Sequence, residues 1–195
     1  VIYRLLFKIM NLIAKFSTVR LRIASDSELL AKEYEKLSDR PAEVFPIPHT
    51  TTSRHSQNLQ KTIVPITFVT LGGMRADKGF DIISAAIRKL SVDSRFSNLS
   101  FVLQCNHNAL AMDMIPAREA LEALKATNVK LIKTDLSPEA YWQLLNEANV
   151  VVFPYRLSVY RRRTSGPLIE AMAAGKVVLV PENSWLSSTL PEFRG

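Results

Sequence analysis

The stretch from Asn149 to Pro181 reads NVVVFPYRLSVYRRRTSGPLIEAMAAGKVVLVP, and it decides the fold. It opens on the apolar run NVVVFP and closes on another, KVVLVP. Short β-branched runs of this kind, bounded by turn residues, read as strands, NVVVFP as one buried on both faces. Between them PLIEAMAA, residues 167–174, reads as a helix that stops at Gly175. Two strands joined by so compact a helix predict a parallel crossover unit. The connecting segment carries Arg161, Arg162 and Arg163, then Thr164, Ser165 and Gly166 immediately before the helix. Amides at a helix N-terminus are unpaired and the helix dipole is positive there, so a phosphate suits this turn, with Ser165 and Gly166 as donors. Glu170 lies about one turn further in, placed to accept hydrogen bonds from sugar hydroxyls rather than to meet phosphates. A plainer reading stands beside this one: a capping serine, a half-exposed glutamate and a solvated arginine run.

The same alternation begins upstream at Ile66. ITFVTL reads as a strand, followed by a helix capped by Asp77 with Phe80, Ile82, Ile83, Ala86, Ile87 and Leu90 on its apolar side. LSFVLQ is the next strand, then a helix near residues 117–125, the strand VKLI, and a helix capped by Ser137 with Pro138 in its first turn. Five strands with intervening helices predict an α/β domain whose parallel sheet is covered on both faces. Ligands of such sheets bind beyond the C-terminal strand ends.

A second cationic turn falls on that same edge. LGGMRADKGF, residues 71–80, follows ITFVTL: Gly72 and Gly73 permit a tight turn and close ligand approach, while Arg75 and Lys78 bring two cations. The spacing is neither that of a P-loop nor GxGxxG. Alone it reads equally well as an ordinary strand-to-helix turn. Paired with the Arg161–Gly166 segment it points to one anion site built from two loops.

Towards the N-terminus, YRLLFKIMNLIAKF has helical apolar spacing with Arg4, Lys8 and Lys15 interspersed. It is too short and charged to span a bilayer. Packing on a sheet is expected, with contact at an acidic membrane surface as the alternative. VRLRIA, then SELLAKEYEKL capped by Asp26 or Ser27, then AEVFPIP complete a helix-strand-helix-strand order over residues 1–48. This reads as the end of an incomplete α/β domain. The polar stretch 49–62, HTTTSRHSQNLQKT, reads as a linker, its His49 and His55 as surface residues, and residues 63–195 as the second domain. Valine at position 1 and the unfinished LPEFRG suggest a piece of a longer protein, truncated at the C-terminal side too.

The formal charge of +7 favours anionic partners: nucleotides, nucleic acid or acidic membranes. No RNA-recognition signature with paired aromatics is present, so nucleic acid is not expected. The single cysteine, Cys105, allows no internal disulfide and fits a reducing compartment. No cluster has metal-ligand spacing, so no metal and no cofactor are expected.

The motifs LGGMRADKGFDIISAAI, LSPEAYWQLLNEANVVVFPY and RTSGPLIEAMAAGKVVLVPENSW, in that order, resemble the C-terminal domain of GT-B-fold retaining glycosyltransferases that use nucleotide-sugar donors. SDSELLAKEYEKL and EVFPIPH resemble the end of that family's N-terminal domain. The resemblance implies two Rossmann-like domains, the C-terminal one binding the donor's nucleoside diphosphate. It implies that Arg75 and Lys78 stabilise the departing diphosphate, that Gly72, Gly73, Thr164, Ser165, Gly166 and Leu168 line its site, and that Glu170 holds the ribose. It implies sugar transfer to a glycan or lipid-linked acceptor, without metal, in the cytoplasm or peripherally at the inner face of a membrane. A non-catalytic nucleotide-sugar-binding module of the same fold is the alternative. Two positions depart from the family pattern. Arg162 stands where a second glutamate is usual, eight residues before Glu170, and Gly73 stands where an arginine often follows the first glycine.

Overall fold

The computed structural model describes residues 2–18, 20–45, 47, 65–106 and 109–190. The expected linker, residues 49–62, lies outside the described residues. The chain divides into two compact units, Val1–Pro48 and His49–Gly195.

In the first unit, α1 (Ile2–Lys15) is followed by β1 (Ile23–Ser25), α2 (Glu28–Ser38) and β2 (Ala42–Val44). β1 and β2 pair in parallel, Ile23 opposite Ala42. Ser27 caps α2, its hydroxyl accepting from the Leu30 amide. The helix α1 differs from expectation. It lies along α2 through a Phe7–Tyr34 ring contact at 6.1 Å and an Asn11 amide donating to the Ser38 carbonyl. No residue of α1 is buried, and Leu5, Ile9, Leu12 and Ile13 of its apolar stripe remain exposed. No sheet covers that stripe among the described residues.

The second unit contains β3 (Ile66–Thr70), α3 (Phe80–Leu90), β4 (Leu99–Gln104), α4 (Ile115–Glu122), β5 (Val129–Ile132), α5 (Pro138–Glu147), β6 (Val150–Val152), α6 (Leu157–Tyr160), α7 (Gly166–Ala173), β7 (Val177–Leu179) and α8 (Trp185–Thr189). All five strands are parallel, in the order β5-β4-β3-β6-β7. β3 is the central strand, with Val69 fully buried. Phe68 stands opposite Phe101 on β4, the rings stacked at 5.6 Å, a cross-strand pair that helps hold the register. With right-handed crossovers, this order sends α3 and α4 to one face and α5 and α7 to the other.

The face under α3 and α4 holds a core of Phe80, Ile87, Phe101, Leu103, Cys105, Met114 and Leu121. The α3 stripe runs through Phe80, Ser84 and Ile87, and the Ser84 hydroxyl donates to the Ala117 carbonyl. Ile82, expected on the apolar side, is instead exposed. It sits two residues from Phe80, about 200° around the helix, and so faces away from the stripe.

The order in which successive strands are added to the sheet reverses at β3, between β3 and β6. The strands β4 and β5 build outward on one side of β3, while β6 and β7 build outward on the other. This topological switch point opens a crevice at the C-terminal ends of β3 and β6. The loops 71–79 and 153–165 leave the sheet there, and both cationic segments lie on them.

Candidate functional site

The first loop is tied down from both sides. The Gly72 amide donates to Gln104 Oε1 at the end of β4, and the Gly72 carbonyl accepts from Lys78 Nζ, each at 2.7 Å. Gly72 has φ 97°, and a Cβ there would fall 2.1 Å from Lys78 Nζ. Glycine is therefore required for the amine to close over the turn. Lys78 Nζ also stands 5.8 Å from the centre of the Tyr155 ring. Burial, then the charge of Arg75, push the Lys78 ammonium down to about 8.

Asp77 does not cap α3, contrary to expectation. The N-cap of that helix is Gly79 at φ 68°, with no side-chain hydrogen bond. The Asp77 carboxylate instead accepts both arms of the Arg75 guanidinium and has Arg163 Nη1 at 3.7 Å. Two cations in partial burial outweigh a single exposed amide, so the ion pairs win over the cap. Burial pushes Asp77 up, but the hydrogen bond and charge of Arg75, with Arg163 and Lys78, hold it below the usual range. The Arg75 guanidinium is raised chiefly by its hydrogen bond to Asp77. Arg75 thus arrives in the site already paired, whereas the Nζ of Lys78 meets a neutral carbonyl.

The second loop is clasped to the first. Arg156 donates its backbone amide to the Asp77 carbonyl and Nε to the Ala76 carbonyl, both at 2.9 Å, and its guanidinium pairs with Asp81. These bonds start α6, a single turn just ahead of the arginine run that the sequence does not announce. Tyr155 lies beneath it, packed on Phe153 at 5.5 Å and on Tyr160 at 4.3 Å. The buried Tyr155 hydroxyl makes no hydrogen bond of ordinary geometry, and Ser165 is the group beside it. One ring therefore links the surroundings of Lys78 to the start of α7. Arg161 and Arg162 are exposed, while Arg163 packs 5.6 Å over Tyr160.

At α7 the structure brings together most of the expected residues. Ser165 is the N-cap, its buried hydroxyl accepting from the Leu168 amide at 3.4 Å, with Pro167 in the first turn. Thr164 is half-buried just ahead of it. A Cβ on Gly166 would meet nothing within 4 Å, so the turn presents open space there. Glu170, four residues on, shares that helix face. Its carboxylate accepts from the Tyr141 hydroxyl of α5. Leu168 meets this turn through its backbone amide, while its side chain is fully buried in the core.

Gln104, Tyr141, Tyr155 and Arg156 belong to this constellation although the sequence assigned none of them a role, Tyr155 and Arg156 lying within the cationic segment itself. Between the loops lies a cavity of about 10 Å³, lined by Gly73, Lys78, Gln104 and Tyr155, with room for a single water. Anything larger must sit on the rim above it. Among the described residues no cluster of His, Cys, Asp and Glu could hold a metal ion.

Solved structures with this fold are known. The chain is similar to the trehalose-6-phosphate synthase OtsA, with TM-score 0.58 and 11% identity over 77% of this chain and 39% of that one. It is similar to an α,α-trehalose-phosphate synthase from Burkholderia vietnamiensis, with TM-score 0.61 and 10% identity over 86% and 48%. A third is the pneumococcal O-GlcNAc transferase GtfA in complex with UDP and GlcNAc, with TM-score 0.52 and 16% identity over 80% and 28%. The chain thus spans less than half the length of each of these proteins. Comparison with curated protein sequences found no significant match. The family model for glycosyl transferases group 1 matches residues 65–186, the unit that carries both loops, and the chain belongs to that family.

Proposed function

We propose that the protein of which this chain forms part transfers a sugar from a nucleoside diphosphate sugar to a glycan or lipid-linked acceptor, retaining the anomeric configuration and using no metal. The observation that carries this reading is the convergence at the switch point of Lys78, above a glycine turn, with the Ser165–Gly166 start of α7. As the glycosidic bond breaks, negative charge grows on the leaving diphosphate. A fixed ammonium and a helix N-terminus act where that charge develops, which lowers the barrier more than it tightens ground-state binding. Together they supply the positive charge that a metal would otherwise bring. Lys78 is the principal cation in this reading and Arg75, held by Asp77, a supporting one. Glu170 takes the ribose hydroxyls. Retention is supported by the fold's likeness to trehalose-6-phosphate synthase, whose glycosyl transfer proceeds with retention.

The full-length protein should bind a nucleoside diphosphate and transfer sugar from the corresponding donor. Lys78→Ala should lower the transfer rate by about 10²-fold or more, the scale of losing one electrostatic contact to the transition state. Transfer unaffected by Lys78→Ala would sink this assignment.

Arg162 favours a second reading. A cation at the position of a usual carboxylate alters the surroundings of the donor sugar, which fits a module that binds nucleotide sugars without turning them over. Nucleoside diphosphate binding with no transfer to any acceptor by the full-length protein would select it. A cytoplasmic site of action, with peripheral contact at a membrane's inner face, is part of the proposal; no helix among the described residues is long and apolar enough to cross a membrane.

A further inference from the structure

The hydrogen bond between α5 and α7 has a use beyond packing. Tyr141 donates its hydroxyl to Oε2 of Glu170. Tyr141 is half-buried, and burial, then its bond to Glu170, push its phenol well above the usual range, so it remains a donor at every physiological pH. A glutamate's terminal torsion is broad, and an unanchored carboxylate samples many orientations. With one oxygen held by a phenol, the group has a single plane and a defined set of remaining lone pairs. Glu170 also shares its helix face with Gly166, beside which there is open space.

We infer that Tyr141 is a positioning residue that orients the Glu170 carboxylate for the vicinal hydroxyls of a ribose. This rests on the proposed assignment of Glu170 to the ribose. Two adjacent hydroxyls on a ring donate best to a carboxylate whose plane is fixed, because both bonds form without further loss of side-chain freedom. The competing account is that Glu170 merely satisfies a buried phenol. The two accounts differ in ligand selectivity, not in stability.

The test uses the full-length protein and titration calorimetry with UDP, ADP and GDP, each against its 2′-deoxy counterpart, the tightest pair being carried forward. Wild type is expected to prefer the ribose form by about tenfold, the scale of one hydrogen bond to a charged group. Tyr141→Phe should cut the preference to about threefold or less, with deoxy-form affinity nearly unchanged. Glu170→Gln provides a second arm, since its amide oxygen still accepts from Tyr141 and turns the amide nitrogen towards the diol; most of the preference should vanish there too. Tyr141→Phe that keeps the wild-type preference while Glu170→Ala abolishes it would overturn the inference and leave the ribose assignment standing. Equal weakening of both forms by Tyr141→Phe would overturn it as well, marking the residue as packing. Wild type with no ribose preference, or no binding of any of the three, would remove the ribose assignment itself and this inference with it.

Discussion

Gly79 and Pro154 approach each other so closely that a Cβ on Gly79 would lie 1.8 Å from the Pro154 carbonyl oxygen. The two residues belong to the loops on opposite sides of the switch point, and Gly79 holds φ 68°. Gly79→Ala combines a left-handed backbone with a clash against backbone that cannot move aside. It should destabilise the second unit by about 3 kcal/mol or more. Both tryptophans of the chain, Trp142 and Trp185, lie in that unit, so urea unfolding followed by tryptophan fluorescence reads it directly. A midpoint unchanged from wild type would show that the loops separate freely.

Arg156 and Asp81 form a second clasp, between the second loop and the first turn of α3. Their side chains are about 40% exposed, which limits the ion pair to about 0.5–1 kcal/mol. Asp81 Oδ1 is buried with no hydrogen bond, so removing the arginine leaves the carboxylate poorly satisfied on both oxygens. Arg156→Ala should therefore cost about 1–2 kcal/mol, more than the pair itself contributes. In a double-mutant cycle with Asp81→Ala the losses should be non-additive by about 0.5–1 kcal/mol. Strict additivity would mean that the two groups do not interact in solution.

Much of this fold was legible in the sequence, because the strands are short, mostly apolar runs and two of the helices between them carry serine caps. Ser137 and Ser165 cap α5 and α7 as their positions implied. What escaped was decided at a distance. Asp77 stands where a helix cap belongs, yet Arg75 and the remote Arg163 claim its carboxylate. The turn α6 is too short to show a period and depends on Arg156 reaching back to Ala76 and Asp77. Tyr141 gained its role from a partner on another helix, which no local pattern can announce. For α1, the apolar spacing was read correctly, but spacing does not name the surface that an apolar stripe meets.

Ser165 carries two duties that mutation can separate. As N-cap of α7 it accepts from the Leu168 amide, so Ser165→Ala should cost about 1 kcal/mol of stability. Ser165→Gly should cost only a few tenths, since glycine is a tolerable cap. If the hydroxyl also binds the diphosphate, both variants should weaken nucleoside diphosphate binding alike, despite their different stabilities. Affinity that follows stability instead would reduce Ser165 to a structural cap.

Lys78 makes stability depend on pH in an unusual direction. Its ordinary value is 10.5, and in the fold burial and the neighbouring Arg75 bring it down to about 8. Below pH 8 the amine is protonated in both folded and unfolded chains, and the cost of burying the charge is carried in full. Between pH 8 and 10.5 the unfolded chain keeps its proton while the folded chain releases it. The unfolded state then binds more protons, so stability rises with pH across that window. The buried phenols of Tyr141 and Tyr155 act in the opposite sense above pH 10, because burial raises them. The clean comparison is therefore wild type minus Lys78→Met between pH 7 and 9.5, by urea unfolding read through the tryptophans. The difference should move in favour of wild type as pH rises through 8, and a flat difference would show that Lys78 titrates as an exposed lysine. A diphosphate bound at the proposed site would restore the charge and so reverse the trend. Nucleoside diphosphate affinity should fall over the same pH interval in wild type and stay level in Lys78→Met.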